Sequence, residues 1–166
     1  MDKIRCEWVD LKDTLMVKYH DEEYGTKKSG LNIYFEALVL DSFQAGLSWR
    51  CILHKREAFR DSFYNFDPVR VANMDESDVL KLLENKSIVR HRGKIEATIK
   101  NAKAVLLIES KQGFKNYIDG FKSPYELSKS LKKLGFSYVG ETTCHEIMAS
   151  LGLIPVHEES CFRYVK

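Results

Sequence analysis

The sequence predicts an all-α protein, and three observations carry that prediction. Apolar residues recur at helical spacing along most of the chain, strand-type alternation is scarce, and only three prolines occur: Pro68, Pro124 and Pro155. Taken in order, Leu31 to Ala45 reads as a nearly continuous apolar helix that belongs in a core. Ile52 to Phe63 carries apolar residues at helical spacing with charges between them. Asp67-Pro68 places a cap before a proline at the first helical position, opening a short helix over Val69 to Ala72. Asp75 begins an acidic-first helix with Val79, Leu80, Leu82 and Leu83 as its buried stripe. Ile95 to Ile108 is a long amphipathic helix. Ser123-Pro124-Tyr125-Glu126 combines a serine cap, a proline start and a glutamate placed to close a capping box. That helix runs through Leu127, Leu131 and Leu134 and stops at Gly135; a last one covers about Glu141 to Leu151 and ends at Gly152. No repeat, low-complexity stretch or linker divides residues 1–166, which predicts a single domain.

The 166 residues are 44% hydrophobic and 30% charged, ordinary for a globular chain, with no apolar run near the roughly 20 residues that span a bilayer. The start, Met1-Asp2-Lys3-Ile4-Arg5-Cys6, lacks the apolar core and cleavage site of a signal peptide. A cytoplasmic location is therefore expected, where the four cysteines serve better as metal ligands or core residues than as disulfides. Net charge is only +2, but it is unevenly spread. Residues 1–85 hold 12 Lys+Arg against 16 Asp+Glu, and residues 86–166 hold 14 against 8. A basic second half is available to a polyanion, although clustering on solvated helix faces accounts for the same imbalance.

Between Leu131 and Thr143 the chain reads helix, glycine-bounded turn, helix. Gly135 can close the first helix in the left-handed conformation, Val139 can pack inward, and Gly140 lets a partner's backbone approach. The amides near Gly140 to Thr142 then point outward with a helix dipole behind them, which favours a phosphate. Lys132, Lys133 and Thr142 add donors, and the run Arg90-His91-Arg92-Gly93-Lys94 adds charge. A plain αα-corner in the core fits the hairpin equally well.

Two further sets carry chemistry. Cys6, His20, His157 and Cys161 are the residue types of a closed, structural zinc site, and both pairs lie at chain ends that would otherwise fray. Their spacing is no familiar finger signature, and two of each type also arise by chance. Asp41 is the only charged residue between Ala37 and Trp49. A carboxylate in an apolar helix is costly unless paired or at a cavity. With Tyr19, Tyr24, Phe43 and Trp49 it has the makings of a pocket for a cationic planar base; a structural cap amid core aromatics is the other reading.

Several blocks together resemble the 3-methyladenine DNA glycosylase I family: Cys-Glu-Trp-Val (6–9), Tyr-His-Asp-Glu-Glu-Tyr-Gly (19–25), Gln-Ala-Gly-Leu-Ser-Trp (44–49), Phe-Asp-Pro (66–68), Ile-Val-Arg-His-Arg-Gly-Lys-Ile (88–95) and Gly-Phe-Ser-Tyr-Val-Gly (135–140). They run in family order over nearly the whole chain. The resemblance implies a helix-hairpin-helix glycosylase fold, with the hairpin over about 127–151 and ends 1–25 and 153–166 tied by one structural zinc on Cys6, His20, His157 and Cys161. It implies excision of positively charged 3-methyladenine from double-stranded DNA, with Tyr19 and Trp49 in the base pocket and Gly46 and Leu47 in the loop that enters the gap left by the flipped base. Asp41 stands where the family usually has Glu, Tyr24 where it typically has Trp, and the segment before the last helices is shorter. These departures leave open another alkylated purine as substrate, or a catalytically silent hairpin module that binds DNA.

The expected chemistry is monofunctional hydrolysis by a monomer, with Asp41 accepting hydrogen bonds from the cationic base. No Asp follows Asp119 to support the sugar cation, and no lysine is expected beside the aromatic cluster, which argues against a Schiff-base lyase.

Overall fold

The computed structural model describes residues 2–166, and among these there are helices and turns but no strand. In chain order the helices are α1 (Thr14–Glu22), α2 (Leu31–Gln44), α3 (Trp49–Ser62), α4 (Pro68–Ala72), α5 (Glu76–Glu84), α6 (Arg92–Gln112), α7 (Phe114–Asp119), α8 (Pro124–Lys133) and α9 (Glu141–Ser150). None is long and apolar enough to cross a membrane.

The apolar run from Leu31 becomes the axis of the molecule. Tyr34, Phe35 and every residue from Leu38 to Phe43 are buried, and α3, α6, α7 and α9 pack around them. A continuous core joins Phe59, Phe63, Phe66, Ile95, Val105, Phe114, Leu131 and Ile147 to this helix. A second, much smaller core holds Cys6, Val9, Met16, Tyr19, Leu53 and Cys161. It lies where α1 and the two ends of the chain meet α3.

Caps set the helix starts. Asp67 accepts from Val69 N, and Asp75 with Asp78 forms a complete capping box. At α8 the Ser123 side chain accepts from Glu126 N, which is the serine half of the expected box. Helix α3 begins at Trp49, three residues earlier than periodicity predicts, because Ser48 Oγ accepts from Cys51 N. Helix α6 likewise starts at Arg92, with His91 Nδ1 accepting from Lys94 N. Helices α1 and α7 have no counterpart in the sequence reading. Helix α7 is six residues long, and α1 buries only Met16, Tyr19 and His20, too little for a clear apolar stripe.

Helices α8 and α9 pack on each other across the turn at 134–140. Gly135 adopts φ +89°, and Val139 is buried, both as the sequence predicts. Neighbouring helices hold this turn rigidly. Ser128 Oγ donates to Val139 O at 2.7 Å, Ser42 Oγ donates to Tyr138 O at 3.0 Å, and Asn101 of α6 brackets Ser137 with two 3.0 Å bonds.

Candidate active site and metal cluster

Asp41 projects from α2 into a cavity of about 430 Å³ lined by Trp8, Met16, Tyr19, Tyr24, Gln44, Trp49, Glu146 and Ser150, among others. That size suits a small-molecule site. The aromatic wall comes from both ends of the sequence's first third. The Tyr19 and Trp49 rings lie 5.1 Å apart at 45°, and the Trp8 and Tyr24 rings meet edge to face at 5.0 Å. Trp49 is the first residue of α3, so the Ser48 cap also fixes one wall of the cavity. Its Nε1 is buried without a hydrogen-bond partner among the described residues.

Asp41 is 4% exposed. Its one hydrogen bond is from Ser150 Oγ of α9, at 3.2 Å to Oδ2. Burial pushes its carboxyl well above the ordinary range; the charge of Glu146 pushes the same way, and Ser150 and Lys28 oppose them. An anion there is costly until a cation arrives.

Phe43 does not belong to this cavity. Two residues beyond Asp41, it faces the opposite side of α2 and is fully buried against Phe59 at 4.8 Å and Phe63 at 6.3 Å. The expectation for lysines is also corrected. A second cavity of about 240 Å³ shares Tyr19, Asp41, Trp49 and Ser150 with the first and is lined by Lys28, Glu36, Arg56 and Arg60 as well. Lys28 Nζ is fully engaged, donating to Glu23 O at 2.9 Å, Thr26 O at 3.3 Å and Ser150 O. It ties the ends of α1 and α9 together behind the aromatic cluster.

Cys6, His20, His157 and Cys161 come together as predicted, with one ligand atom from each within 4.8 Å of all the others. Cys6 Sγ lies 3.5 Å from His157 Nδ1, Cys161 Sγ 3.4 Å from His20 Nε2 and Cys161 Sγ 3.7 Å from His157 Nδ1. Zinc bonds of about 2.0–2.3 Å in a tetrahedron give ligand separations of roughly 3.5 Å, so the donor set fits. The outer nitrogens are oriented too: His20 Nδ1 meets Asp21 Oδ1 at 2.8 Å, and His157 Nε2 meets Tyr24 O at 3.0 Å. Through the Tyr24 carbonyl and the neighbours Trp8 and Tyr19, the cluster backs directly onto the aromatic wall.

The surface residues divide. Gly46 and Leu47 are exposed on the loop between α2 and α3, which forms a cleft with Thr142 and Thr143 of α9. Lys132, Lys133, Gly135 and Thr142 are exposed around the hairpin, and Gly140 stands as the N-cap of α9. Arg90 is exposed, whereas Arg92 pairs with Glu76 at 2.9 Å and Glu96 at 3.1 Å. Lys94, expected on the DNA-facing surface, is buried. Its ammonium donates to Phe43 O at 2.9 Å and Ala45 O at 2.6 Å, capping the carbonyl end of α2. It positions the 45–48 loop rather than a phosphate. Sequence reasoning missed Trp8, Lys28, Glu146 and Ser150. The i,i+4 pair Glu146 and Ser150 on α9 was the available signal.

The family model described as methyladenine glycosylase matches residues 8–126 and 122–164, covering both walls of the cavity. DNA-3-methyladenine glycosylase 1 of Escherichia coli (strain K12) is 39% identical over 181 residues, 96% of each chain. A crystal structure of 3-methyladenine DNA glycosylase I superposes with a TM-score of 0.92 at 39% identity, covering 98% of this chain and 100% of that one. A tyrosine-to-phenylalanine variant of 3-methyladenine DNA glycosylase I, solved in complex with 3-methyladenine, gives 0.85 at 32% identity, over 93% and 95% of the two chains. Matched along nearly its whole length in sequence and in fold, the chain belongs to the 3-methyladenine DNA glycosylase I family.

Proposed function

We propose that this protein is a monofunctional base-excision glycosylase that hydrolyses the N-glycosidic bond of 3-methyladenine in alkylated double-stranded DNA. One observation carries the reading: Asp41 is a buried carboxylate, without a charged partner in hydrogen-bond contact, at the floor of an aromatic-walled cavity. A neutral purine leaves that charge uncompensated. A base made cationic by methylation at N3 compensates it, accepts stacking from Tyr19 and Trp49, and is already a good leaving group. Binding therefore discriminates by charge. Flipping adds selectivity, since unpairing costs a few kcal/mol and least for a damaged base. Lys28 is held by three carbonyls, so no free amine is offered for a Schiff base.

Helices α8 and α9 act in this reading as a helix-hairpin-helix element. The amides at the start of α9, with Lys132, Lys133 and Thr142, hold phosphates without reading sequence, and Gly46 and Leu47 enter the gap in the duplex. The Cys/His cluster holds one structural zinc, with four protein ligands and no position open for water. The enzyme works as a cytoplasmic monomer.

Alkylated duplex DNA incubated with the protein, followed by chromatography of released bases, tests the proposal. Free 3-methyladenine is expected, and Asp41→Asn lowers its release by at least about 10²-fold while duplex binding is kept. Unchanged excision by Asp41→Asn would sink the role given to this residue. The cavity behind Asp41 favours one second reading, a glycosylase for a bulkier alkylated purine, which the same chromatogram reveals as a different free base. No released base at all leaves only a DNA-binding module.

A further inference from the structure

One face of α9 runs from the surface to the cavity floor. Thr142 and Thr143 line the cleft beside the 45–48 loop, Ser150 bonds Asp41, and Glu146 lies between them at helical spacing. The cavity and the cleft share three side chains: Asp41, Gln44 and Glu146. On the glycosylase reading, a nucleotide swung out of a duplex lying over the loop and the hairpin crosses this junction. Its base enters the cavity and its sugar stays at the threshold. The two carboxylates there differ in kind. Asp41 is closed off from water, whereas the Glu146 side chain is 37% exposed and bonded only to the adjacent His145, at 3.3 Å. No lysine or arginine forms an ion pair with it among the described residues.

Cleaving a glycosidic bond places positive charge on the sugar and requires an activated water, two tasks met by a carboxylate beside the anomeric carbon. We infer that Glu146 is a second catalytic carboxylate, set at the sugar as Asp41 is set at the base. The inference rests on the glycosylase reading above. As the C1′–N9 bond breaks, its electron pair goes to the purine, which leaves as neutral 3-methyladenine, and the positive charge passes to the deoxyribose. Glu146 faces that charge. Water adds to C1′, its proton passes to the Glu146 carboxylate and then to solvent, and an abasic site remains. The pair thus divides one reaction between a dry carboxylate for the leaving base and a wet one for the sugar.

Single-turnover release of 3-methyladenine from methylated duplex by wild type, Glu146→Gln and Glu146→Ala tests the assignment. Glu146→Gln, which keeps size and fold, is expected to be slower by about 10²-fold with duplex binding unchanged. Added formate is expected to restore part of the Glu146→Ala rate, as a small carboxylate occupying the emptied place. A Glu146→Gln rate within about twofold of wild type overturns the inference and leaves the glycosylase reading intact. So does a slow Glu146→Ala that formate leaves unmoved and that has lost duplex binding in proportion, since Glu146 would then be structural. Failure of the wild type to release any base removes both readings together.

Discussion

The two walls of the base cavity are built in opposite ways. The wall carrying Asp41, Glu146 and Ser150 belongs to α2 and α9, inside a continuous core with Phe35, Phe43, Phe59 and Ile147 fully or nearly fully buried. The wall carrying Trp8, Tyr19 and Tyr24 rests on a core of six buried residues, two of them the cysteines of the metal cluster. Apolar burial alone suffices for the first, because the core side chains beneath it have neighbours on every side. The second has too little surface to bury and relies on cross-links: the Cys/His cluster, the Arg5–Asp21 pair at 2.7 Å, the Arg56–Glu23 pair at 2.7 Å and the Lys28 ammonium. On the proposed mechanism the chemistry sits on the self-supporting wall, and recognition is shared with the stapled one.

Breaking the self-supporting wall has the largest expected effect on stability. Phe43→Ala opens a void beside Phe59 and Phe63 and is expected to cost about 3–5 kcal/mol, read by chemical denaturation as one cooperative loss of helix and tryptophan signals. Two separated transitions would contradict a single core running through α2. Stripping the metal acts on the other wall. Chelation is expected to remove about 3 kcal/mol, the stabilisation given by an ion present at roughly 100 times its dissociation constant. Both tryptophans, Trp8 and Trp49, line the cavity, so their fluorescence should change before far-ultraviolet helix signal is lost. Base release should fall over the same chelator range as the fluorescence. This sharpens the structural role proposed for zinc: it would hold no reacting atom, yet the Cys/His cluster supports half of the pocket. Activity retained in a fully chelated, still folded protein would contradict the coupling.

A smaller effect comes from acid. Hydrogen bonding to His54, with Arg50 adding to it, holds Asp13 at about 2, below its ordinary 3.8. Asp13 caps α1 and joins it to α3 through His54 at 2.7 Å. A depressed carboxylate contributes its stability above the unfolded value, and that contribution is lost as pH falls from about 4 to about 2. Tryptophan fluorescence of wild type should therefore shift across that window, and Asp13→Asn should weaken the shift, the remainder belonging to Asp21, which its hydrogen bond from Arg5 also holds at about 2. An identical acid transition in the variant would place the sensitive group elsewhere.

The division between the walls also explains what the sequence made legible. Helices of the main body announce themselves through period and cap: α2, α4, α5 and α8 stand within a few residues of their predicted places because Leu31–Ala45, Asp67-Pro68, Asp75 and Ser123-Pro124 are local signals. The four residues of the Cys/His cluster were readable as residue types, and their convergence only through the family resemblance, since 151 positions separate Cys6 from His157. Phe43 and Lys94 were misplaced for a related reason. Proximity in sequence to Asp41 or to a basic run says nothing about which side of a helix faces solvent, and 100° per residue turned both inward. Glu146 was hidden because its only signal, i,i+4 spacing from Ser150, is ordinary on an amphipathic helix until that helix is laid beside α2.

The staple has a consequence for biosynthesis. Tyr24 is anchored by His157, Lys28 by the Ser150 carbonyl and Ile4 by the Phe162 amide, so the aromatic wall is held from residues 122 to 158 positions further on. Gly152 presses so closely on the Thr26–Lys27 backbone that an added Cβ would lie 2.4 Å from Thr26. A nascent chain can assemble α2 to α7 as they emerge, but it has no closed base pocket until residue 161 has left the ribosome. Premature termination between Gly152 and Cys161 would therefore leave a helical body able to fold and unable to close the aromatic wall.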